Sequence, residues 1–454
     1  MKKMKNNFKR IAGMTFAALL AGTLLAACNN GGGGGGGSKL SIGVMLYKDT
    51  GDDVEAIKAY TKYLSGPLNM DFTFVTGSLT DNEKNLNAIG DLQVAGCQGI
   101  VVSLCGNTFP GFVDKAAAGK TPIASYYGVP EDYYYNDGGS TGGGMTDVQK
   151  KNMQEWYVGG VEDGVRSGDQ GGVYLAEQYW DNSIVKAGHR NVALMHFNFL
   201  YYPKQMVACD TFIQKANEWN ASHDTNDQIT LQDVKKGEDG KYCTSADFPG
   251  KYPGDTSVAN ETGNMGWSLG FAPIGDDYLN KHEFGEGKTT AIVCFGAAGT
   301  FVYPTVAQKN VSVKIFGSGF DNNSEGFTKD FGTRGKAIMQ QATYSCVESF
   351  VYPLVMLANR IDGKDYADNW EQKAGTNKYL SVDVKDRRVS THYNCITDND
   401  GMDKLISSSL YATHDANNAI LKVDAIKQLM RRYNDNAKFD DLLKVVQGLS
   451  TDGK

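Results

Sequence analysis

From Lys39 onward, short apolar runs alternate with stretches whose apolar residues recur every three or four positions. "KLSIGVMLY" reads as a strand, and the following "DDVEAIKAYTKYL" puts Val54, Ile57, Tyr60, Tyr63 and Leu64 on one helical face. "MDFTFVTG" is a second strand. "TDNEKNLNAIGDLQVAGC" opens on a capping signal and carries Leu86, Ile89, Leu92 and Val94 at helical spacing. "QGIVVSLCG", a short helix in "GFVDKAAAGK" and the strand "TPIASYYG" complete this half. Strands separated by helices at this spacing predict βαβ units and a parallel sheet covered on both faces.

A tyrosine- and glycine-rich interval, 129–145, breaks the rhythm and predicts a long surface loop. The alternation resumes with "EWYVGGV" (strand), "DQGGVYLAEQYWDN" (helix), "RNVALMHFNF" (strand) and "YPKQMVACDTFIQKANEW" (helix). "TLQDV" is a further strand candidate. Residues 236–288 are polar and glycine-rich and predict a large insertion. "KTTAIVCFG" and "SVKIFGSGFD" are strands around the helical "AGTFVYPTVAQK", and "GKAIMQQATYSCVESFVYPLVMLANRIDGK" gives a strand and a long amphipathic helix. About ten strand candidates exceed what one doubly wound lobe usually carries. The expected fold class is therefore α/β, with two doubly wound parallel-sheet lobes.

The first 38 residues follow a different pattern. Lys2, Lys3, Lys5, Lys9 and Arg10 precede an apolar stretch from Ile11 to Ala27 that ends in small residues, as an export signal does. Leu25-Ala26-Ala27-Cys28 looks like a bacterial lipobox, in which the cysteine sulfur carries a lipid. The expectation is a signal peptide over 1–27, then lipidated Cys28 and a glycine-rich tether over 28–38. The ten residues Asn29 to Ser38 would span about 17 Å r.m.s..

Charge and cysteines narrow the chemistry. A net charge of −7 argues against a nucleic-acid binder, which needs clustered Lys and Arg. Of eight cysteines, the seven besides Cys28 show neither a CxxC pair nor zinc spacing and sit in apolar runs, so no disulfide framework and no metal site are expected. No phosphate-cradling or nucleophile motif occurs, so neither a cofactor nor an enzymatic activity is expected. "DTNDQIT" lacks the glycine and distal glutamate of a calcium loop.

The order of "KLSIGVMLY", "NLNAIGDLQVAGCQGIVVSLCGN", "TPIASYYG", "VKIFGSGFD" and "GKAIMQQATYSCVESFVYPLVMLANRIDGK" behind a lipobox resembles the type I periplasmic-type solute-binding lipoproteins, the sugar-binding family of ABC importers. The resemblance implies an N-terminal lobe over 39–128 completed by about 341–378 and a C-terminal lobe with insertions over 129–340. It also implies a crossing segment at 379–400 and a C-terminal helical extension at 401–454. The chain would cross between lobes near Tyr126–Val129, near Gln340 and again late. The implied function is capture of a small polar ligand, a sugar, between the lobes and delivery to ABC permease subunits. The protein would be an extracytoplasmic, lipid-anchored monomer on the cell membrane. A ligand-sensing lipoprotein serving a membrane receptor or kinase, or a surface glycoside hydrolase using Asp163, are the alternatives.

Open α/β sheets place ligands at the carboxyl ends of their strands. The expected ligand-binding residues follow strand ends: Tyr47, Lys48, Asp49, Asn107, Tyr126, Asp163, Asn198, Tyr202, Lys204, Phe295 and Gln340. Such a set suits a sugar, whose C–H faces stack on aromatic rings and whose hydroxyls bond to polar side chains. Sugar-binding members commonly carry an Asn-Asp pair where this chain has Gly296-Ala297-Ala298, and an Arg where it has Lys204. These departures leave open an oligomeric or derivatised saccharide, or another polar solute. Cys28→Ser is expected to release the protein from the membrane into the soluble fraction, since stable anchoring rests on the acyl chains; a variant that still sediments with membranes removes the lipid-anchor reading.

Overall fold

The computed structural model describes residues 38–78, 81–103, 108–126, 145–163, 170–197, 199, 203–248, 258–270, 273–318, 331, 338–366, 388–391 and 393–449. The chain begins with β1 (Leu40–Leu46), α1 (Asp52–Ser65), β2 (Met70–Thr76), α2 (Asn82–Val94), β3 (Gly99–Ser103), α3 (Phe109–Gly119) and β4 (Ile123–Tyr126). β1 pairs in parallel with β2, from Leu40 opposite Met70 to Leu46 opposite Thr76, and with β3 on its other side. The two-residue period of a strand divides β1 cleanly. Ile42, Val44 and Leu46 join the core containing Val54, Ile57, Tyr60 and Leu64 of α1, while Met45 joins that of Ile89 and Leu92 of α2 and Phe112 of α3. Gly43 faces α2 so closely that a Cβ would lie 2.9 Å from the Leu92 side chain, which a larger residue would have to displace.

The expected boundary at residue 129 comes later in the structure. A capping box between Thr146 and Gln149 starts α4 (Asp147–Trp156), which leads straight into β5 (Tyr157–Asp163). β5 pairs with β4 and so belongs to the first sheet, not the second. The tyrosine-rich interval interrupts a lobe rather than separating two. The first crossing therefore follows Asp163, not Tyr126–Val129.

The second sheet is built from β6 (Asn191–Phe197), β7 (Thr230–Gln232), β8 (Trp267–Leu269), β9 (Ala291–Ala297), β10 (Lys314–Ser318) and β11 (Met339–Ser345). Its helices include α5 (Gln170–Trp180), which runs on as a π-helical turn at Asp181–Lys186, and α6 (Pro203–Ser222). α7 (Asp276–Lys281), α8 (Ala298–Phe301) and α9 (Tyr303–Lys309) flank β9 in sequence. β7 pairs with Asn191–Ala193 and β8 with Met195–Phe197, both in parallel. One edge position is thus shared by two short strands, and the polar stretch between them is an excursion from that position.

After β11, a 3-10 turn at Val347–Phe350 delivers α10 (Val351–Ile361) to the first lobe, where Leu357 and Ile361 cover Gly99 of β3. β12 (Arg388–Thr391) then extends the first sheet beside β5, and β13 (Tyr393–Ile396) closes the second, antiparallel to β11. The sheet orders are β12-β5-β4-β3-β1-β2 and β13-β11-β10-β9-β6-β7, the same permutation twice. Two doubly wound α/β lobes exchange the chain after β5, after β11 and between β12 and β13.

The tail forms α11 (Asn399–Ser408), α12 (Leu410–Thr413), α13 (Val423–Leu429) and α14 (Phe439–Gln447). It is part of the first lobe's core: Leu405, Ile426, Phe439, Leu442 and Val446 are buried in one cluster with β1 and α1. The Tyr60 hydroxyl donates to the Leu421 carbonyl at 2.7 Å and the Tyr433 hydroxyl to the Leu68 carbonyl at 2.7 Å. Buried Arg432 pairs with Asp362 at 3.0 Å and donates to the Ser38 carbonyl at 2.8 Å. Among the described residues, no helix is long and apolar enough to cross a membrane. Phe439 packs edge-on to Tyr352 of α10 and near Tyr366. Phe439→Ala is expected to cost about 3–5 kcal/mol in urea denaturation; a loss below about 1 kcal/mol would make the tail an appendage.

Candidate functional site

In each sheet the strand order reverses beside its first strand, at β1/β3 and at β6/β9. At such switch points helices leave to opposite faces, and a crevice opens at the carboxyl ends of the strands. The first lobe's crevice has a well-defined corner. Asp53, in the first turn of α1, is only 3% exposed. Tyr47 donates its hydroxyl to Asp53 Oδ2 at 3.1 Å, and Lys48 Nζ lies 2.9 Å from Oδ1 and 4.9 Å from the centre of the Tyr47 ring. The carboxylate gains from the helix N-terminus and fixes both neighbours in one geometry. Asp49 is exposed, and its carbonyl accepts from Lys58 at 3.3 Å.

A second polar group lies at the ends of β2 and β3. Ser78 N donates to Asn85 Oδ1 at 2.7 Å, Asn85 Nδ2 returns to the Ser78 carbonyl at 2.8 Å, and Thr108 donates to Asn82 Oδ1 at 2.6 Å. Asp53, Asn82, Asn85 and Thr108 were not singled out by sequence reasoning. The available signal was a polar residue, Asn85, on the apolar stripe of α2.

Several expected ligand residues are placed elsewhere. Tyr126 is 1% exposed, edge-on to Phe350 at 5.4 Å, with its hydroxyl 3.5 Å from the Val347 carbonyl. It is a core residue, because strand alternation turns it, with Ala124, onto the face covered by α1 and α10. Phe295 is likewise 1% exposed, between Tyr179 at 5.4 Å and Phe212 at 6.0 Å. The expectation took Phe295 as the strand's end, but β9 continues to Ala297. Gln340 is the second residue of β11, far along the strand from its carboxyl end, and the crossing starts at Cys346.

Asp163 ends β5 and pairs in register with Thr391 of β12, which brings the first and third crossings side by side. Lys204 is the second residue of α6. The side chains of Asp163 and Lys204, and Asn107, Asn198, Tyr202 and Cys28 altogether, lie outside the described residues.

In the second lobe, Gln205 of α6 accepts the Phe197 N–H at 2.7 Å and Asn260 of the excursion accepts the Phe199 N–H at 2.6 Å, which fixes the end of β6. His196, fully buried, bonds through Nδ1 to the Phe197 carbonyl at 2.7 Å and stacks on Phe199 at 3.9 Å. Burial lowers its pKa to about 4 against the opposing effect of that hydrogen bond, so the imidazole is neutral. Burial also pushes the Cys209 thiol well up and the Cys294 thiol up to about 12, which leaves both unreactive. Among the described residues, no group of three or more His, Cys, Asp or Glu side chains is placed to hold a metal ion.

The His196 shift has a definite sign. A neutral folded-state histidine gives stability that is full above the unfolded value near 6.5 and is lost as pH falls toward 4. Chemical denaturation from pH 7 to pH 4 is expected to show His196→Phe losing on the order of 3 kcal/mol less stability than the parent; parallel pH profiles would refute this.

No family model and no curated protein matches the chain. Solved structures do. A sugar ABC transporter protein from Yersinia enterocolitica subsp. enterocolitica 8081 is 9% identical with a TM-score of 0.47, over 84% of this chain and 96% of that one. An ABC transporter solute-binding protein from Agrobacterium vitis, bound with alpha-D-tagatopyranose, is 9% identical with a TM-score of 0.47, over 85% and 100%. The 5-methylthioribose transporter solute-binding protein from Thermotoga lettingae is 9% identical with a TM-score of 0.45, over 83% and 90%. The chain's own sheets, two lobes of one strand order that exchange the chain at adjacent crossings, form the type I periplasmic-binding-protein-like fold that the resemblance implied.

Proposed function

We propose that the protein is an extracytoplasmic solute-binding lipoprotein. It takes a small polar ligand, a saccharide, at the strand ends of its two lobes and hands it to an ABC-type permease. The observation that carries this reading is the Tyr47–Lys48–Asp53 corner at the first lobe's switch point. There a buried carboxylate holds an aromatic face and a cation at fixed positions, and a sugar offers an apolar face and hydroxyls to match. A ligand that touches both lobes stabilises the form in which they approach, by as much as it prefers that form. Cys28 would keep the protein at the outer face of the membrane, where a permease waits.

The test is a melting-temperature screen of the purified protein with D-ribose, D-xylose, D-glucose, D-galactose and their disaccharides. A specific ligand at 100 times its Kd contributes about 2.7 kcal/mol and raises Tm. Tyr47→Ala is expected to weaken the same ligand by about tenfold through the lost ring face. A screen in which no saccharide raises Tm removes the sugar reading.

A further inference from the structure

The tail residues Ser409–Leu421 touch both the ligand corner and the second crossing. At one end, His414 donates from Nε2 to Asp52 Oδ1 at 3.2 Å. Asp52 opens α1 and is the neighbour of Asp53, which holds Tyr47 and Lys48. His414 reaches this point from a left-handed backbone conformation, φ 52°, at the end of α12. At the other end, buried Glu348, in the turn that leaves the second sheet, accepts the Ile420 N–H at 3.1 Å. Burying a carboxyl is costly unless it is hydrogen-bonded. Burial raises the Glu348 pKa, and the Ile420 N–H opposes that rise.

Ahead of His414, the Tyr411 ring lies 5.8 Å from the ring of Tyr344 on β11, a second-sheet strand. Leu410, Tyr411, Ala419 and Leu421 share a core cluster with Val347 and Phe350 of the turn. Tyr60 of α1 fastens the far end through the Leu421 carbonyl.

We propose that Ser409–Leu421 is a brace that links the β1–α1 corner to the second crossing, so that His414 and Glu348 act as positioning residues for the ligand site. The residue at one end sets the corner, and the residue at the other sets the strand-to-helix turn on which the lobes pivot. This inference rests on the solute-binding reading for its effect on affinity, but not for its effect on backbone motion.

Two measurements on the full mature chain test it. The first is amide hydrogen exchange without ligand. Glu348→Ala is expected to speed exchange not only at its own turn but also at Tyr47–Asp53, and Glu348→Gln, which keeps an oxygen acceptor for Ile420, is expected to restore protection. Faster exchange confined to residues near 348 and 420 overturns the brace. The second uses the saccharide that raises Tm of the parent. His414→Gly suits the left-handed backbone, so Tm is expected to stay within about 2 °C. Affinity is expected to fall about fivefold, and an unchanged affinity overturns the role of His414. If the parent binds none of the screened saccharides, the sugar reading fails, and the exchange result alone decides the brace.

Discussion

A parallel sheet has no face that can be left in water, and most of this molecule follows from that. βαβ connections put helices on both sides, and the strands become continuous apolar runs such as Gly99–Ser103, all of it buried. In the first lobe, α1 and α10 cover one face and α2 and α3 the other. The tail joins the first of these layers, with Phe439 against Tyr352 and Tyr60 bonded to the Leu421 carbonyl. With both faces occupied, polar groups can converge only at strand ends. The Asp53 corner and the Asn82–Asn85–Thr108 group both lie there.

The same constraint explains what was legible in the sequence. Period-2 and period-3.6 patterns locate β1 to β4, α1, α2 and the second-lobe elements, because burial on two faces writes itself as apolar runs and stripes. What does not write itself is which sheet a strand enters. β5 reads the same in either lobe, and only its pairing with β4 assigns it. Nor does a pattern show which face the last residue of a strand takes. Tyr126 and Phe295 are both near strand ends, but alternation sends Tyr126 in beneath α1 and α10, and β9 runs two residues past Phe295. Tyr47 and Lys48 were legible because they follow the last paired residue of β1. Their anchor Asp53 was not, since an acidic residue in a first helical turn is ordinary until its burial is known.

The polar excursion between β7 and β8 sits where a sheet can tolerate it. An edge strand forms one ladder, so breaking it into two three-residue pieces leaves the β6–β9–β10 ladders intact. Interruption at β9 would break two ladders at once. The excursion also returns a benefit to the site's surroundings, since Asn260 fixes Phe199 at the end of β6 and Lys281 and His282 close on Asp233 at 3.0 and 2.9 Å.

The tail is bound to the first lobe at several points. Tail and first lobe are joined by short bonds, 2.7 Å for Tyr60 to Leu421 and for Tyr433 to Leu68. Near the second crossing, the Tyr126 hydroxyl lies 3.5 Å from the Val347 carbonyl and the Ile420 N–H reaches Glu348 at 3.1 Å. Hydroxyl-to-oxygen bonds are strongest near 2.7–2.8 Å and weaken toward 3.5 Å. A movement that lifted the tail from α1 would break both of the short bonds. The tail must travel with the first lobe. It meets the second sheet through Tyr411 against Tyr344.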